Sequence, residues 1–273
     1  MDFSNYTIIS DLDGTIFARG ALIPQNAEPI KRFTAGGGHF TIATGRNHSS
    51  LINNAPDLVE LINAPALLCN GTYFYDFKKN ERLGERCLTP EQAKLILTFS
   101  EKYFPNVPYR LSLFKGIRCQ KVEGYVANDV AFYGPDSTEV SPSSTWPLDD
   151  WYKVVFREEP EVLVKVREAF EENFSGNGIS VFKTSRLCLE MQNELSDKGK
   201  GLEWMRNQLP NRGGTVIACG DFENDIGMLK AADVAICPAN ASDEVKRISD
   251  HILCPHHEGL IIDVLKLIEE GKI

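Results

Sequence analysis

Short apolar runs that each end in a polar turn, and that alternate with amphipathic stretches, constrain this sequence more than any other feature. Tyr6-Thr7-Ile8-Ile9 is the first, β-branched and cut off by Asp11-Leu12-Asp13-Gly14, the pattern of a buried strand that runs into a turn. A helix is expected over 25–35, with Asn26 as its cap, Ile30 and Phe33 on one side and Gly36-Gly37-Gly38 as its stop. His39–Ala43 is a second strand, ended by Thr44-Gly45-Arg46. A helix over about 49–61 and a third strand, Ala66–Cys69, come next, and Asn70-Gly71 ends that strand. The alternation predicts a parallel sheet covered on both faces.

The same alternation returns late in the chain. Thr215–Cys219 is a strand ended by Gly220-Asp221, and Asp225–Ala232 reads as a helix. Val234–Ile236 is a strand and Ser242–Ile248 a helix, with Asp243 and Glu244 in its favourable first turn. His251–Cys254 is a last strand, and Leu260–Glu270 a helix with apolar positions 260, 261, 264, 265 and 268. The middle differs. Helical pieces (Pro90–Tyr103, Glu161–Phe174) mix with strand-like ones (Lys121–Ala127, Trp151–Phe156, Ile179–Thr184, Leu187–Met191), and 134–150 reads as an exposed loop. The expectation is an α/β fold: a Rossmann-like parallel-sheet core built from 1–83 and 190–273, with an α+β domain inserted over 84–189.

Composition narrows the function classes. Of 273 residues 42% are hydrophobic, enough for an ordinary core. Lys and Arg number 29 against 38 Asp and Glu, a formal net charge of -9. Nucleic acid and anionic membranes are therefore poor partners, while a small anionic metabolite can still be met by a local cation. The 7 cysteines are odd in number and several sit in apolar runs, as buried thiols do in a reducing cytoplasm. Neither a secretory leader nor an apolar run long enough to span a membrane is expected.

In a parallel sheet, ligands bind beyond the carboxyl ends of the strands. The polar clusters Asp11/Asp13, Thr44/Arg46, Asn70 and Asp221/Asn224/Asp225 all fall there. Clustered carboxylates repel, which invites a metal ion or a raised pKa. With Mg²⁺ and a phosphoryl group both acids find a role. Asp11 would attack phosphorus, and Asp13, protonated at first, would serve as acid and then base. Read alone, Asp11–Thr15 is also an ordinary polar turn, and Asp221 and Asp225 are also ordinary charges at a helix N-terminus. Asp11, Asp221 and one backbone carbonyl, that of Asp13, would supply three of the oxygens that Mg²⁺ requires. A phosphate dianion beside so many carboxylates needs a cation. Lys198, placed just before a helix expected over Leu202–Leu209, is the candidate, with Lys200 its rival. Arg46 adds charge, and the Thr44 hydroxyl with nearby N–H groups would hold phosphoryl oxygens.

These motifs in this order — Asp11-Leu12-Asp13-Gly14-Thr15, Thr44-Gly45-Arg46, Lys198-Gly199, Gly220-Asp221-Phe222-Glu223-Asn224-Asp225 — resemble the haloacid dehalogenase-like superfamily. The resemblance is to its Cof-type branch of metal-dependent phosphatases, and it runs over essentially the whole chain. It implies Asp11 as nucleophile and metal ligand, Asp13 as acid/base and ligand through its carbonyl, and Asp221 as the second carboxylate ligand. Asp225 would brace metal waters or the lysine. Thr44 and Lys198 would bind phosphate, and Leu12, Gly45, Arg46, Asn70, Asn224 and Asn240 would surround the substrate. Residues 84–189 would be a cap of the α/β (C2B) type that chooses among sugar phosphates and other small phosphomonoesters. Two stretches depart from the branch, Ile236-Cys237-Pro238-Ala239 and Pro255-His256-His257-Glu258-Gly259, and neither removes a catalytic group.

Other readings are weaker. Cys254, His256 and His257, with Cys237, lack the paired spacing of a zinc site. Gly36-Gly37-Gly38 precedes a strand, so it is no dinucleotide loop, and no nucleophile elbow is present. A phosphatase, a phosphomutase working through the same aspartyl-phosphate, and a non-catalytic phosphometabolite binder are the three functions carried forward; oligomeric state is left open.

Overall fold

The structure is a computed structural model that describes residues 1–209 and 213–273. It divides into two compact units, Met1–Glu85 with Asp197–Ile273, and Arg86–Ser196. Residues 190–196 thus group with the second unit. The strand Cys188–Asn193 is paired on both edges there, with Lys153–Phe156 and Ile179–Ser185, so it cannot be divided between units.

The first unit is built on a five-stranded parallel sheet in the order His251–Leu253, Val234–Pro238, Thr215–Cys219, Tyr6–Ser10, His39–Ile42. Its central strands are buried on both faces, which is why they read as β-branched runs without alternation. The register sets Ser10 beside both Cys219 and Ile42, so the turns that follow all leave the same edge. Ala66–Leu68 is joined to this sheet by a parallel bridge from Leu67 to Ala43. It also pairs, antiparallel, with a hairpin over Tyr73–Asp76 and Glu81–Glu85, which the sequence reading did not anticipate.

Local chemistry explains most of the helices. The final one, Leu260–Glu269, buries Leu260, Ile261, Val264, Leu265 and Ile268 along one stripe. The helix expected over 49–61 is two, His48–Asn54 and Pro56–Leu61, because Pro56 cannot donate the hydrogen bond that would continue the first. Asn26 is not a cap. The first helix spans Pro24–Ala35 with Ile23 before it, and Asn26 is buried inside. Its Oδ1 accepts from the N–H of Ile261 at 3.0 Å, serving the final helix, whose own flanking residue is Gly259. Asp225–Ala232 resolves into a single tight turn, Glu223–Asp225, followed by the helix Ile226–Ala231.

The second unit is a six-stranded sheet in the order Thr138–Val140, Gly116–Cys119, Tyr109–Leu113, Lys153–Phe156, Cys188–Asn193, Ile179–Ser185. Helices Pro90–Tyr103 and Pro160–Phe174 supply Ile96, Phe99, Leu163 and Phe170 to a core shared with Leu111, Val154, Phe156 and Met191 of the sheet. Trp146 and Trp151 belong to that core. The strand expected over Lys121–Ala127 does not form; Val126–Tyr133 is a helix that buries Val126. The seven residues Lys121–Ala127 are too short a stretch to separate the two periods. The other sheet face carries a buried ion pair, Lys153 to Glu190 at 2.7 Å. Arg110 is paired with Asp129, and Arg118 with Glu139. Among the described residues no helix is long and apolar enough to cross a membrane.

Candidate active site

The turns after three neighbouring strands converge in the first unit. The Asp11 N–H donates to the carbonyl of Cys219, the Ala43 N–H to Ser10, and the Thr44 N–H to Leu67. The ladder is thereby extended one residue past each strand end, and the side chains that follow are set by sheet geometry. Asp11 is buried, and Asp221 and Asp225 each bring a carboxylate oxygen near it, the three atoms lying within 4.8 Å of one another.

Lys198 enters this space with its side chain fully enclosed. Its Nζ donates to Asp11 Oδ1 and to Asp225 Oδ1, both at 2.6 Å. The lysine lies not before a helix but at the start of one, Lys198–Arg206, capped by Asp197, whose Oδ1 accepts from the N–H groups of Gly199 and Lys200. An Asp before a Lys-Gly pair is a readable cap signal, and it decides between the two lysines: Lys198 points inward and Lys200 is exposed.

The three carboxylates do different work. Asp225 Oδ2 accepts from the N–H groups of Asp221 and Phe222 at 2.9 and 3.1 Å, so both its oxygens are engaged in closing the acidic turn and holding the lysine. Asp221 Oδ1 accepts from the Thr15 hydroxyl at 2.9 Å. Gly14, in the left-handed region at φ 92°, lies so close to Asp221 that a Cβ there would sit 2.4 Å from Oδ2; this position has no room for a side chain. Thr15 escaped the sequence reading because its partner lies 206 positions away.

Charge in this space is unbalanced. Burial, reinforced by Asp225 and Asp221, lifts the Asp11 carboxyl well above the usual carboxylate range despite the opposing pull of Lys198. Burial and then Asp225 push Asp221 up to about 7. Burial opposes the Lys198 charge, but Asp11 and Asp225 outweigh it and hold the ammonium above its ordinary value. One ammonium among three carboxylates leaves an excess of negative charge. The oxygens of Asp11 and Asp221 therefore fit a hard divalent cation, and Asp225, with both oxygens hydrogen-bonded, fits beside it.

Asp13 stands apart from this cluster. Its carboxylate takes a two-point contact from Arg46, Nε to Oδ2 at 2.9 Å and Nη2 to Oδ1 at 2.7 Å. The guanidinium also lies over the Phe17 ring, 5.3 Å from its centroid. Such a fork is the two-point geometry in which a guanidinium grips a carboxyl group. Leu12 is buried, and its carbonyl accepts from the N–H groups of Thr15, Ile16 and Phe17. Thr44 is buried, and its hydroxyl accepts from the Arg46 N–H at 3.2 Å across the Gly45 turn.

Two asparagines tie the turns together. The Asn224 amide donates to Asn70 Oδ1 at 3.1 Å. Asn240 donates to the Gly14 carbonyl at 2.8 Å, and its own oxygen accepts from the His256 N–H and meets His256 Nδ1. His256 is thus a support of Asn240. Cys254 lies instead against Asp263, and burial, then that carboxylate, pushes its thiol up to about 12. Among the described residues, the grouping close enough to share a metal ion is Asp11, Asp221 and Asp225; Cys254, His256 and His257 do not form one.

A family model described as haloacid dehalogenase-like hydrolase matches residues 8–265. A phosphoglycolate phosphatase of Methanospirillum hungatei is 26% identical, over 93% of this chain and 93% of its own length. The pyridoxal phosphate phosphatase YbhA of Escherichia coli is 25% identical, over 88% of this chain and 89% of its own. Of two other curated relatives the chain spans 32% and 45% of the length. Among solved structures, the HAD subclass IIB sugar phosphatase BT4131 superposes with a TM-score of 0.79 at 20% identity, covering 98% of this chain and 99% of that one. That likeness shows the fold.

Proposed function

Because the chain belongs to the haloacid dehalogenase-like hydrolase family, we propose that it is a Mg²⁺-dependent phosphatase of small phosphomonoesters, sugar phosphates foremost, working through an aspartyl-phosphate on Asp11. The observation that carries the reading is the enclosed Lys198 bridging Asp11 and Asp225 at 2.6 Å, with Asp221 in the same cluster. The phosphatase names of relatives aligned over most of their length support it.

Asp11 and Asp221, with the Asp13 carbonyl, would hold the cation, whose contribution when bound is to offset the excess charge and polarise the phosphoryl oxygens. Lys198 fixes one Asp11 oxygen, so the other is the one directed at phosphorus. Attack by that oxygen forms a bond to phosphorus while the ester oxygen leaves with its electron pair. Asp13 donates the proton to this alkoxide, and then takes one from the water that hydrolyses the acyl-phosphate. Donation first requires Arg46 to release Asp13 and the freed carboxyl to take up a proton from solvent, which it then passes to the alkoxide. A phosphoryl group drawing on the same guanidinium supplies the competition. Thr44 and the N–H groups of its turn hold the phosphoryl oxygens. The choice of leaving group is assigned to the second unit, residues 86–196.

The test is a panel of phosphomonoesters, hexose and pentose phosphates first, assayed for free phosphate with and without Mg²⁺. Sustained release that stops on chelation is expected, with Asp11→Asn inactive by at least about a thousandfold. Isomerised product without free phosphate would mark a mutase, and binding without turnover would mark a non-catalytic protein.

A further inference from the structure

Cys69, Asn70 and Gly71 are three successive residues in the left-handed region, at φ 49°, 56° and 88°. Two of them are not glycine, and all three are buried. L-residues enter this region singly and at a cost, and such a run persists only where its surroundings over-determine it. Here the surroundings belong to three separate parts of the site. The Asn70 N–H donates to the Thr44 carbonyl at 2.8 Å and the Cys69 N–H to the Arg46 carbonyl at 3.0 Å. Two of the three carbonyls of the Thr44-Gly45-Arg46 turn, those of Thr44 and Arg46, are thus taken from one side. Asn70 Oδ1 accepts the Asn224 amide of the acidic turn. Gly71 lies against the start of the Lys198 helix, where a Cβ would sit 2.7 Å from the Asp197 carbonyl and 3.4 Å from the Lys198 nitrogen.

We infer that the left-handed turn Cys69–Asn70–Gly71 is the device that sets the phosphate end of the site, with Asn70 its positioning residue. The inference rests on the reading of the Thr44 turn as the phosphate binder. The N–H and Oδ1 of Asn70 hold two other segments of the site. A chain needing only to reverse direction has unstrained turns available. This one instead adopts the backbone in which one residue reaches both the Thr44 turn and Asn224, while the next admits the lysine helix.

The experiment measures calorimetric binding of inorganic phosphate, in magnesium-containing buffer, to the parent and a set of variants. Asn70→Gly keeps the left-handed backbone and deletes the side chain, Oδ1 included. Asn70→Val also forces the residue out of that region, because a β-branched side chain does not tolerate it. Ile268→Ala, in the final helix, lowers stability without touching the turn. Asn70→Gly and Asn224→Ala are each expected to weaken phosphate binding about threefold, and their double variant no further, because they share one hydrogen bond. Asn70→Val is expected to weaken it at least about tenfold, while Ile268→Ala leaves it unchanged despite a lower Tm. Phosphate affinity in Asn70→Val equal to the parent, or an equal loss in Ile268→Ala, would overturn the inference. If Asn70→Val does not fold, the Asn70/Asn224 cycle decides, and additive losses overturn it. A folded parent that binds no phosphate would instead remove the phosphate-site reading, and this inference with it.

Discussion

Lys198 brings one positive charge into a space that holds the carboxylates of Asp11, Asp221 and Asp225, and nothing of its side chain reaches solvent. A buried cation of this kind is retained for its partners, and removing it leaves their charges uncompensated. Lys198→Met should therefore destabilise the chelated protein by about 3–5 kcal/mol at pH 8, read from urea unfolding, and should abolish phosphate release. Stability equal to the parent would show the carboxylates to be neutral without it. Asp13 calls for a different measurement. If its task is to protonate the leaving group, Asp13→Asn should slow alkyl phosphates far more than nitrophenyl phosphate, whose leaving group needs no proton. Equal loss on both would reject the role. The acids and the lysine were legible in the sequence because the chemistry demands those types at strand ends. The Arg46–Asp13 fork was not, since nothing in the spacing of 13 and 46 says which carboxylate a guanidinium will choose.

Elements were legible where one local rule governed and obscure where a distant partner did. The stripe of the final helix and its apolar positions follow from period alone. Asn26 has the composition of a cap, yet the structure uses it to complete a different helix through Ile261 and to reach the Ile16 carbonyl. Asn26→Ala should thus cost about 1–3 kcal/mol by leaving the buried Ile261 N–H without an acceptor, measurable as a lowered urea midpoint at unchanged m. A loss of only a few tenths, as for an exposed cap, would contradict the assignment. In the second unit, the strand expected over Lys121–Ala127 gives way at Val126 to the helix Val126–Tyr133, whose single buried side chain leaves no apolar stripe to read.

At the scale of the whole molecule, the excess charge of the site links stability to pH and to metal. Asp221 titrates near 7 in the folded chain and Asp11 also lies well above its ordinary range, whereas unfolded aspartates titrate near 3.9. The folded state therefore holds more protons than the unfolded one between about pH 4 and 7, and metal-free stability falls as pH rises through that window. A divalent cation replaces those protons, so saturating Mg²⁺ should raise Tm more at pH 8 than at pH 5.5. An equal rise at both, or none, would mean that the carboxylates do not share an ion. The sequence by itself determined the alternation of strands and helices, and with it the fact that Asp11, Thr44, Asn70 and Asp221 stand at strand ends, because hydrophobic period and turn chemistry act over a few residues. Tertiary structure alone decided that Thr15 serves Asp221, that Asp225 is spent on Lys198 and the turn backbone, that Arg46 grips Asp13 and that His256 supports Asn240. Those pairings join positions tens to hundreds of residues apart, and their partners are selected by burial and sheet register, which exist only once the chain has closed on itself.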